Sequence, residues 1–309
     1  MGTVGRLLLP RFRGVHASGT AVSYKEAEVK LRSQKEKAEV LLSLHTNGKL
    51  LVLPNVWNPI GARILEKKGF PAVATASAAI SASLGYQDGE KIKRATAIDL
   101  IGRIARIVDV PVTADIETGY AESLSELEVT AQQVVESGAV GVNIEDGLEW
   151  EGGLRAIEDQ CQRISAFRKF AERCGVHLVI NARTDSFVSS SFTTKEEAME
   201  EAVARAKAFA EAGADCFYPI GPGDEITVRL LRDRIKSPIN ILVSPTAAPL
   251  DIMREIGVNR VSFGPYLFRS CTRKFADIVD GLLTAGDYSS FSDMMSRAEI
   301  GEYLLTGHE

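Results

Sequence analysis

Three apolar stretches of the chain each end in charged residues. Residues 112–120 (VTADIETGY) place Asp115 and Glu117 directly before a glycine turn. Side chains two positions apart in a strand point to the same face, and two such carboxylates at the end of an apolar strand indicate a site for a hard cation. The pattern recurs at residues 141–147 (GVNIEDG) and, with a cation, at residues 179–185 (VINARTD).

These charged residues predict a metal site beside an anion site. Magnesium prefers oxygen ligands and keeps several of its waters, so we expect Asp115, Glu117 and Glu145 to surround a hydrated Mg²⁺ ion. Neighbouring strand residues face opposite sides, and of Glu145 and Asp146 we choose Glu145 as the metal partner. The planar guanidinium of Arg183 predicts a contact with a substrate carboxylate or phosphonate.

Each of these residues also has a simpler structural interpretation. Asp115 or Glu117 would then only cap the next helix, and Arg183 would only pair with Asp185. Three charged clusters at successive strand ends favour the functional interpretation. Asp88 lies in a Gln-Asp-Gly sequence that suits a plain turn as well as an acid near the ion.

The composition excludes several classes of function. A net charge of −5 argues against a general nucleic-acid binder, since phosphate contacts need clustered Lys and Arg. The sequence has no long uncharged apolar run of the kind that crosses a bilayer. The four cysteines are far apart and lack CxxC spacing, which argues against a zinc site or a disulfide framework and indicates a reducing compartment. We therefore expect a cytoplasmic protein without nucleic-acid or membrane partners.

The first 23 residues differ from the rest of the chain. Residues 1–23 contain three arginines and one histidine but no acidic residue. We favour a disordered extension, and a mitochondrial presequence of the basic, acid-poor type is the alternative. Residues 24–309 are predicted to form a single domain that begins with an amphipathic helix over residues 25–43.

Helical segments that end in glycine alternate with short apolar strands. Such glycines favour the left-handed conformation that terminates a helix. Eight such strand–helix units predict a (β/α)8 TIM barrel. A doubly wound sheet usually has a GxGxxG motif after its first strand, and residues 55–61 (NVWNPIG) lack one. The eight predicted strands start near Leu51, Ala72, Val112, Gly141, Leu178, Cys216, Ile239 and Arg260.

Local signals also mark the ends of helices. Residues 123–126 and 194–197 are predicted capping boxes, in which a hydroxyl and a glutamate satisfy free backbone donors. Residues 265–285 are predicted to be the last barrel helix, and residues 289–305 an additional C-terminal helix.

Five segments in combination resemble the isocitrate lyase/phosphoenolpyruvate mutase superfamily. The resemblance covers roughly residues 35–268 and implies a barrel that binds Mg²⁺, or Mn²⁺ in its place, and a small 2-oxo acid or its enolate. It also implies a homo-oligomer, either a dimer or a dimer of dimers, whose subunits exchange the last barrel helix. The segments are residues 53–57 (LPNVW), 83–88 (SLGYQD), 114–120 (ADIETGY), 143–146 (NIED) and 181–185 (NARTD).

The resemblance assigns metal-site roles to four acids. Asp115 and Glu117 match the acidic pair of the metal site, although the family commonly has Asp in place of Glu117. Glu145 matches the next acid of that site, and Asp88 matches a further acid near the ion. Arg183 matches the arginine that binds the substrate.

The resemblance also implies substrate contacts. Thr75, Ala76 and Ser77 match the loop whose backbone and hydroxyl groups hold the substrate carboxylate. Asn181 is a further candidate for substrate binding, and Trp57 either packs against the barrel or forms a wall of the pocket.

The loop after the fourth strand departs from the family pattern. The lyases of the family carry a Lys-Lys-Cys-Gly-His-like segment there, and the mutases carry Lys and Asn. Residues 147–156 (GLEWEGGLRA) contain no Cys, Lys, His or Asn, so neither usual route is expected. Glu149 and Glu151 are the candidate acid/base residues, with a solvated loop as the alternative, and the glycine pair 152–153 suits the hinge of a lid.

The sequence thus predicts an enzyme that stabilises an enolate. The leading hypothesis is a magnesium-dependent C–C bond lyase or decarboxylase acting on a small 2-oxo or 2-hydroxy (di)carboxylic acid. The second is a P–C bond hydrolase or mutase acting on phosphonopyruvate. The third is a barrel that binds 2-oxo acids without catalysis.

Overall fold

The computed structural model of the protein describes residues 32–148 and 152–304. In chain order the strands are β1 Leu51–Leu53, β2 Asn55–Val56, β3 Val73–Thr75, β4 Val112–Asp115, β5 Gly141–Glu145, β6 Gly147–Leu148, β7 Gly153–Leu154, β8 Val179–Thr184, β9 Cys216–Pro219, β10 Asn240–Leu242 and β11 Arg260–Ser262.

The helices connect these strands and cover them on the outside. They are α1 Gln34–Thr46, α2 Pro59–Lys67, α3 Ser77–Ser83, α4 Arg94–Ile107, α5 Leu124–Glu136, α6 Ile157–Arg173, α7 Lys195–Glu211, α8 Glu225–Arg234, α9 Leu250–Ile256, α10 Tyr266–Ala285 and α11 Arg297–Gly301, with a 3₁₀ helix at Ser289–Asp293.

The strands close into a parallel barrel. Strands β2, β3, β4, β5, β8 and β9 pair in that order, and β1 pairs with β11, which pairs with β10. A parallel bridge from Phe217 to Ile239 joins β9 to the start of β10. Strands β1 and β2 are one barrel strand interrupted at Pro54, which has no N–H to donate. The predicted TIM barrel is confirmed, and each of the eight strands starts within one residue of its predicted position.

Helix α1 closes the end of the barrel where the strands begin. Its Leu41 and Ala38 are fully buried and pack against residues of the first, second and fifth barrel strands. Gly141 permits this approach, because a Cβ atom there would lie 2.8 Å from Leu41 Cδ2. The other end of the barrel is therefore left to hold the polar strand ends.

The helix predictions are confirmed in part. Both predicted capping boxes are present, at Ser123 and at Thr194. The first described helix begins at Gln34, because Ser33 caps it together with Glu36, so the prediction of one helix over residues 25–43 is wrong at its start. The predicted domain start at residue 24 and the predicted extension 1–23 lie outside the described residues.

The C-terminal segment is broken where a continuous helix was predicted. A 3₁₀ helix ends at Asp293, and α11 begins only at Arg297. Ser296 has an extended backbone and forms a capping box with Glu299. A capping residue must leave the helical conformation, so the single helix predicted over residues 289–305 is wrong.

Helix α10 lies on the surface of the barrel. Helix α10 has no buried residue and exposes Phe275, Val279, Leu282 and Leu283. In the described part of the chain, no helix is long and apolar enough to cross a membrane.

His45 in α1 makes the fold sensitive to acid. Its side chain is buried, and Nδ1 lies 2.8 Å from the Leu41 carbonyl oxygen. Burial, reinforced by the charge of Arg260, lowers the pKa of His45 to about 4 from the ordinary 6.5. Between these values the unfolded chain takes up a proton that the folded chain does not, so stability falls as the pH falls.

We predict that the free energy of unfolding falls by about 3 kcal/mol less in His45→Gln than in the wild type when the pH is lowered from 7 to 4. Each unit of pKa shift corresponds to about 1.36 kcal/mol. Urea unfolding of both proteins near pH 7 and near pH 4 measures this loss. Parallel losses in the wild type and the variant would show that His45 is protonated in the folded state and would contradict the prediction.

Candidate active site

The strand ends bring polar residues together in two levels. Strand pairing places Asp115 beside Asn143 and Asn143 beside Asn181 at the first level. One step further along the strands, Glu145 lies beside Arg183, and Arg183 beside Tyr218. The register of the parallel sheet therefore assembles acids and a cation that are far apart in the sequence.

Asp115 is held in place by the strand and loop next to it. Its Oδ2 atom accepts hydrogen bonds from the Ser77 backbone N–H at 2.9 Å and from the Ser77 hydroxyl at 3.0 Å. Its own N–H donates to the Thr75 hydroxyl oxygen at 2.8 Å. Thr75 and Ser77 were predicted to hold a substrate carboxylate, but in this structure their hydroxyl groups position Asp115.

Glu117 belongs to a strained cluster. Glu90, Glu117 and Tyr120 are the non-glycine residues with positive φ in the described ranges, at 55°, 54° and 51°. The Tyr120 hydroxyl and the Glu90 N–H both donate to the Glu117 carboxylate, and the Tyr120 N–H donates to Glu90 Oε1 at 2.8 Å. Such backbone conformations cost roughly 1–3 kcal/mol each and concentrate at functional sites.

Burial raises the affinity of these carboxylates for protons. Burial, with Asp88 and Asp115 nearby, raises the pKa of Glu117 to about 7. Burial and the neighbouring Asp115 also raise the pKa of Asp88. A divalent cation would stabilise the charged forms of both Glu117, which is buried, and Asp88, which is partly desolvated at the cavity.

Arg183 is the cation among the polar residues at the strand ends. Its guanidinium lies 2.5 Å from Glu145 Oε2, and it donates to both oxygens of Asp185 at 2.6 and 3.0 Å. Burial alone would lower the pKa of Arg183, but the two carboxylates outweigh it and raise that pKa well above its usual range. The pairing with Asp185 that the simpler interpretation predicted is present, together with a second pairing to Glu145.

Asp146 connects the strand ends to helix α7, and its Oδ1 accepts a hydrogen bond from the Asp185 N–H at 2.9 Å. It is fully buried, and its Oδ2 accepts a hydrogen bond from Arg205 of α7 at 2.9 Å. Arg205 also donates to the Arg155 carbonyl oxygen at 2.9 Å, and the Arg155 N–H donates to the Asp146 carbonyl oxygen at 2.8 Å. The ion pair thus fixes the base of the β6–β7 hairpin, which carries the loop after the fourth strand.

Two cavities open among these residues. The smaller, of about 240 Å³, is lined by Asp88, Asp115, Arg183, Ala76 and Ser77. A larger cleft of about 600 Å³ is lined by Glu117, Glu145, Tyr120, Leu148 and Arg155 among others. The predicted metal acids are therefore divided between two adjoining spaces.

Other predicted residues lie outside these cavities. The Trp57 ring packs edge-on against Phe268 with 5.3 Å between the ring centroids. Asn181 is fully buried and donates to Asn143 Oδ1 at 2.7 Å, although its own Oδ1 has no hydrogen-bond partner among the described residues. Glu149 and Glu151 lie outside the described residues.

Sequence reasoning missed several polar residues that line the smaller cavity. Asn55 accepts hydrogen bonds from the N–H groups of Phe263 and Gly264 and so ties the first barrel strand to the last. The sequence signal for Asn55 was its position in residues 53–57 (LPNVW), one of the segments that resemble the superfamily. The others include Asn143, Ser262 and Arg269, of which Arg269 had no sequence signal.

The donor set fits a hydrated magnesium ion. Within residues 32–148 and 152–304, no three acidic, histidine or cysteine side chains converge closely enough to hold a metal ion directly. Magnesium usually keeps several waters and takes only one or two protein carboxylates. A half-buried Asp115 with further carboxylates in electrostatic range meets that requirement, because the more distant acids can bind the waters of the ion.

A TIM barrel with buried acids and an arginine at the strand ends has the architecture of a barrel enzyme for a small anion. The sequence pattern of the phosphoenolpyruvate phosphomutase family matches residues 41–283. The chain belongs to this family, within the isocitrate lyase/phosphoenolpyruvate mutase superfamily, and is thereby a member of a family of enzymes.

Individual relatives agree with this assignment. The 2-methylisocitrate lyase of Aeropyrum pernix is 27% identical over 282 residues, which cover 87% of each chain. A Burkholderia cenocepacia protein of known structure, provisionally named a phosphonomutase, is 35% identical with a TM-score of 0.76, covering 80% of this chain and 99% of its own. A second B. cenocepacia structure, provisionally a lyase/mutase, is 27% identical with a TM-score of 0.80, covering 87% and 96%.

We predict that Arg205→Met lowers the free energy of unfolding by about 3–5 kcal/mol, because Asp146 keeps the hydrogen bond from the Asp185 N–H but becomes a buried charge without a cationic partner. Arg234→Met is the matched control, since Arg234 pairs with the exposed Glu200 at the surface, and it should cost less than about 1 kcal/mol. Chemical denaturation of both variants measures the difference. Equal losses in the two variants would contradict a structural role for the buried pair.

Proposed function

We propose that the protein is a magnesium-dependent C–C bond lyase or decarboxylase that acts through an enolate on a small 2-oxo or 2-hydroxy dicarboxylic acid. The observation that carries this proposal is the smaller cavity, in which Asp88 and Asp115 lie on one lining with Arg183. A 2-oxo acid chelated to a metal ion requires carboxylates that hold the cation and a guanidinium that binds its own carboxylate.

Asp115 with Asp88, Glu117 and Glu145 would hold Mg²⁺, or Mn²⁺ in its place. When bound, the ion supplies a Lewis acid for the negative charge that develops on the substrate oxygen. The raised pKa values of Asp88 and Glu117 support this assignment, because desolvation and neighbouring carboxylates disfavour their charged forms, which a divalent cation would stabilise.

Side chains of the protein would carry out the remaining steps. Arg183 would bind the substrate carboxylate, and its ion pairs with Glu145 and Asp185 keep its fork of donors in one orientation. Ala76 and Ser77 would form the wall of the cavity next to that group. Glu149 or Glu151 would move the proton, and the glycine pair 152–153 would serve as the hinge of their loop.

The second candidate is P–C bond chemistry on phosphonopyruvate. The 35% identity to a protein provisionally named a phosphonomutase supports it. The absence of Lys and Asn from residues 147–156 argues against it. Phosphate release from phosphonopyruvate would identify a hydrolase directly.

We predict that oxalate, an enolate mimic, binds the wild type only with Mg²⁺, and that Asp115→Ala weakens binding by more than about a hundredfold. Isothermal titration with and without Mg²⁺ measures both effects. Asp99→Ala, which changes an exposed carboxylate on α4 that pairs with Arg103, is the control and should bind oxalate like the wild type.

The same proteins should then be tested for turnover on a panel of 2-oxo and 2-hydroxy diacids. Release of pyruvate, glyoxylate or CO₂ supports the proposal. Oxalate binding without turnover of any acid indicates a barrel that only binds 2-oxo acids. No oxalate binding under any condition overturns the proposed site.

We also propose that the protein assembles through α10 into a dimer or a dimer of dimers. The exposed residues Phe275, Val279, Leu282 and Leu283 fall on one stripe at 100° per residue. Phe275 is 68% exposed and Leu283 is 82% exposed. A contiguous apolar helix face on a globular protein marks an interaction surface.

We predict that the double variant Phe275→Asp/Leu283→Asp has a lower molar mass than the wild type in size-exclusion chromatography with light scattering. The introduced aspartates would have to lose their hydration when the subunits associate, and this cost opposes assembly. The double variant Ser270→Asp/Thr284→Asp adds the same charge on the opposite side of α10 and should keep the wild-type mass. A monomeric wild type, or a stripe variant of unchanged mass, would show that α10 is not the interface.

A further inference from the structure

Arg163 of α6 holds the turn that follows β4. Its side chain is fully buried. Its Nη2 atom donates to the Thr118 carbonyl oxygen at 2.6 Å and to the Ala121 carbonyl oxygen at 3.0 Å. One guanidinium therefore bridges the two ends of the turn formed by residues 118–121.

The two carbonyl groups in the middle of the turn also accept hydrogen bonds from side chains. The Thr130 hydroxyl of α5 donates to the Gly119 carbonyl oxygen at 2.8 Å. Arg94 of α4 donates to the Tyr120 carbonyl oxygen at the longer distance of 3.5 Å. Backbone carbonyl groups that are withdrawn from water need such partners. The conformation of the turn therefore depends on side chains of the three helices around it.

The charge of Arg163 is compensated differently from that of a neighbouring buried arginine. In residues 32–148 and 152–304, Arg163 forms no ion pair, and its Nε atom has no hydrogen-bond partner. Arg168, five residues further along α6, is also buried but pairs with Asp215. Taking a charge out of water costs free energy that other contacts must offset. The carbonyl oxygens of the turn are the hydrogen-bonding groups that do so for Arg163.

The turn determines where the Glu117 carboxylate lies. Glu117 directly precedes the turn, and both Glu117 and Tyr120 have left-handed backbone conformations that are unfavourable for residues with a side chain. The Glu117 carbonyl oxygen accepts a hydrogen bond from the Glu145 N–H at 3.0 Å, and both glutamates line the larger cleft. Such conformations persist only while the surroundings enforce them. A turn released from Arg163 would therefore relax and displace the Glu117 carboxylate.

We propose that Arg163 is a positioning residue of the metal site. It holds the turn in the conformation that keeps Glu117 among the other acids, and it thereby increases the affinity of the site for a divalent cation. In this role Arg163 contacts neither the cation nor the substrate, because it acts through the backbone of residues 118–121. This inference rests on the proposed magnesium site, which supplies the ion.

The experiment measures the binding of Mn²⁺ alone, through the electron paramagnetic resonance signal of the free ion. Arg163→Met should weaken Mn²⁺ binding roughly tenfold, the lower end of the loss expected when a partner beyond the metal ligands is removed. Arg163→Lys keeps the charge but loses the planar fork of donors, so it should show a smaller loss in the same direction.

The matched control is Arg168→Met, which removes a buried arginine of the same helix from Asp215, just before the start of β9 at the opposite end of the barrel. It should lower the stability to urea but change the Mn²⁺ affinity less than about twofold, because the two sites are independent. Arg163→Lys and Arg168→Lys form a second matched pair in case a methionine variant does not fold.

A double-mutant cycle tests whether Arg163 acts through Glu117. Glu117→Gln removes the charge but keeps an oxygen that can accept from Tyr120 and from the Glu90 N–H. In the Glu117→Gln background, Arg163→Met should weaken Mn²⁺ binding less than about twofold, because the carboxylate that it positions is already gone. The same loss in both backgrounds would show that Arg163 does not act through Glu117 and would overturn the inference.

The outcomes separate this inference from the proposed function. A wild type that binds no Mn²⁺ overturns the metal site itself, and the proposed function with it. If the wild type binds Mn²⁺ and the Arg163 and Arg168 variants lose affinity in proportion to their loss of stability, only the role of Arg163 is overturned. The same is true if Arg163→Met, or Arg163→Lys where the methionine variant does not fold, binds Mn²⁺ like the wild type.

Discussion

Arg183 lies between Glu145 and Asp185, within 2.5 and 2.6 Å of their oxygens, at the mouth of the barrel. Taking such charges out of water costs several kcal/mol per ion, and only good geometry offsets that cost. The geometry comes from the register of β5 and β8, which places Glu145 directly beside Arg183. A slip of one residue would turn both side chains to the other face and leave each charge buried alone. The ion pair and the register of the barrel therefore depend on each other.

The strained turn after β4 rests on the same barrel. Glu117 and Tyr120 keep unfavourable backbone conformations because hydrogen bonds within the cluster, including one from Thr118 to Glu90 at 2.7 Å, hold them. Gly119 fits between them where a side chain would meet Leu127 at 2.6 Å. A packed core below the turn thus makes it costly for these residues to relax, and the acids stay clustered despite their mutual repulsion.

Much of the fold and part of the site could be predicted from the sequence. Glycine-ended helices followed by apolar strands are local signals, and they located all eight strands. Asp115 and Arg183 were found because alternation along one strand decides which side chains share a face. The hydrogen bond from Asp115 to the Thr75 hydroxyl was not predictable, since it depends on how β3 and β4 pair. Arg269 was not predictable either, because only the closed barrel brings α10 to the same cavity as Arg183.

Helix α10 connects the candidate site with the proposed interface. Arg269 lies at its start, beside the cavity, and the exposed apolar stripe from Phe275 to Leu283 lies in its later turns. A helix of 20 residues without a buried side chain has little contact with its own barrel to hold it still. Assembly through the stripe would supply that contact and would reduce the conformational freedom of the α10 residues that line the smaller cavity. Oligomer formation would then order one wall of the smaller cavity in addition to joining the subunits.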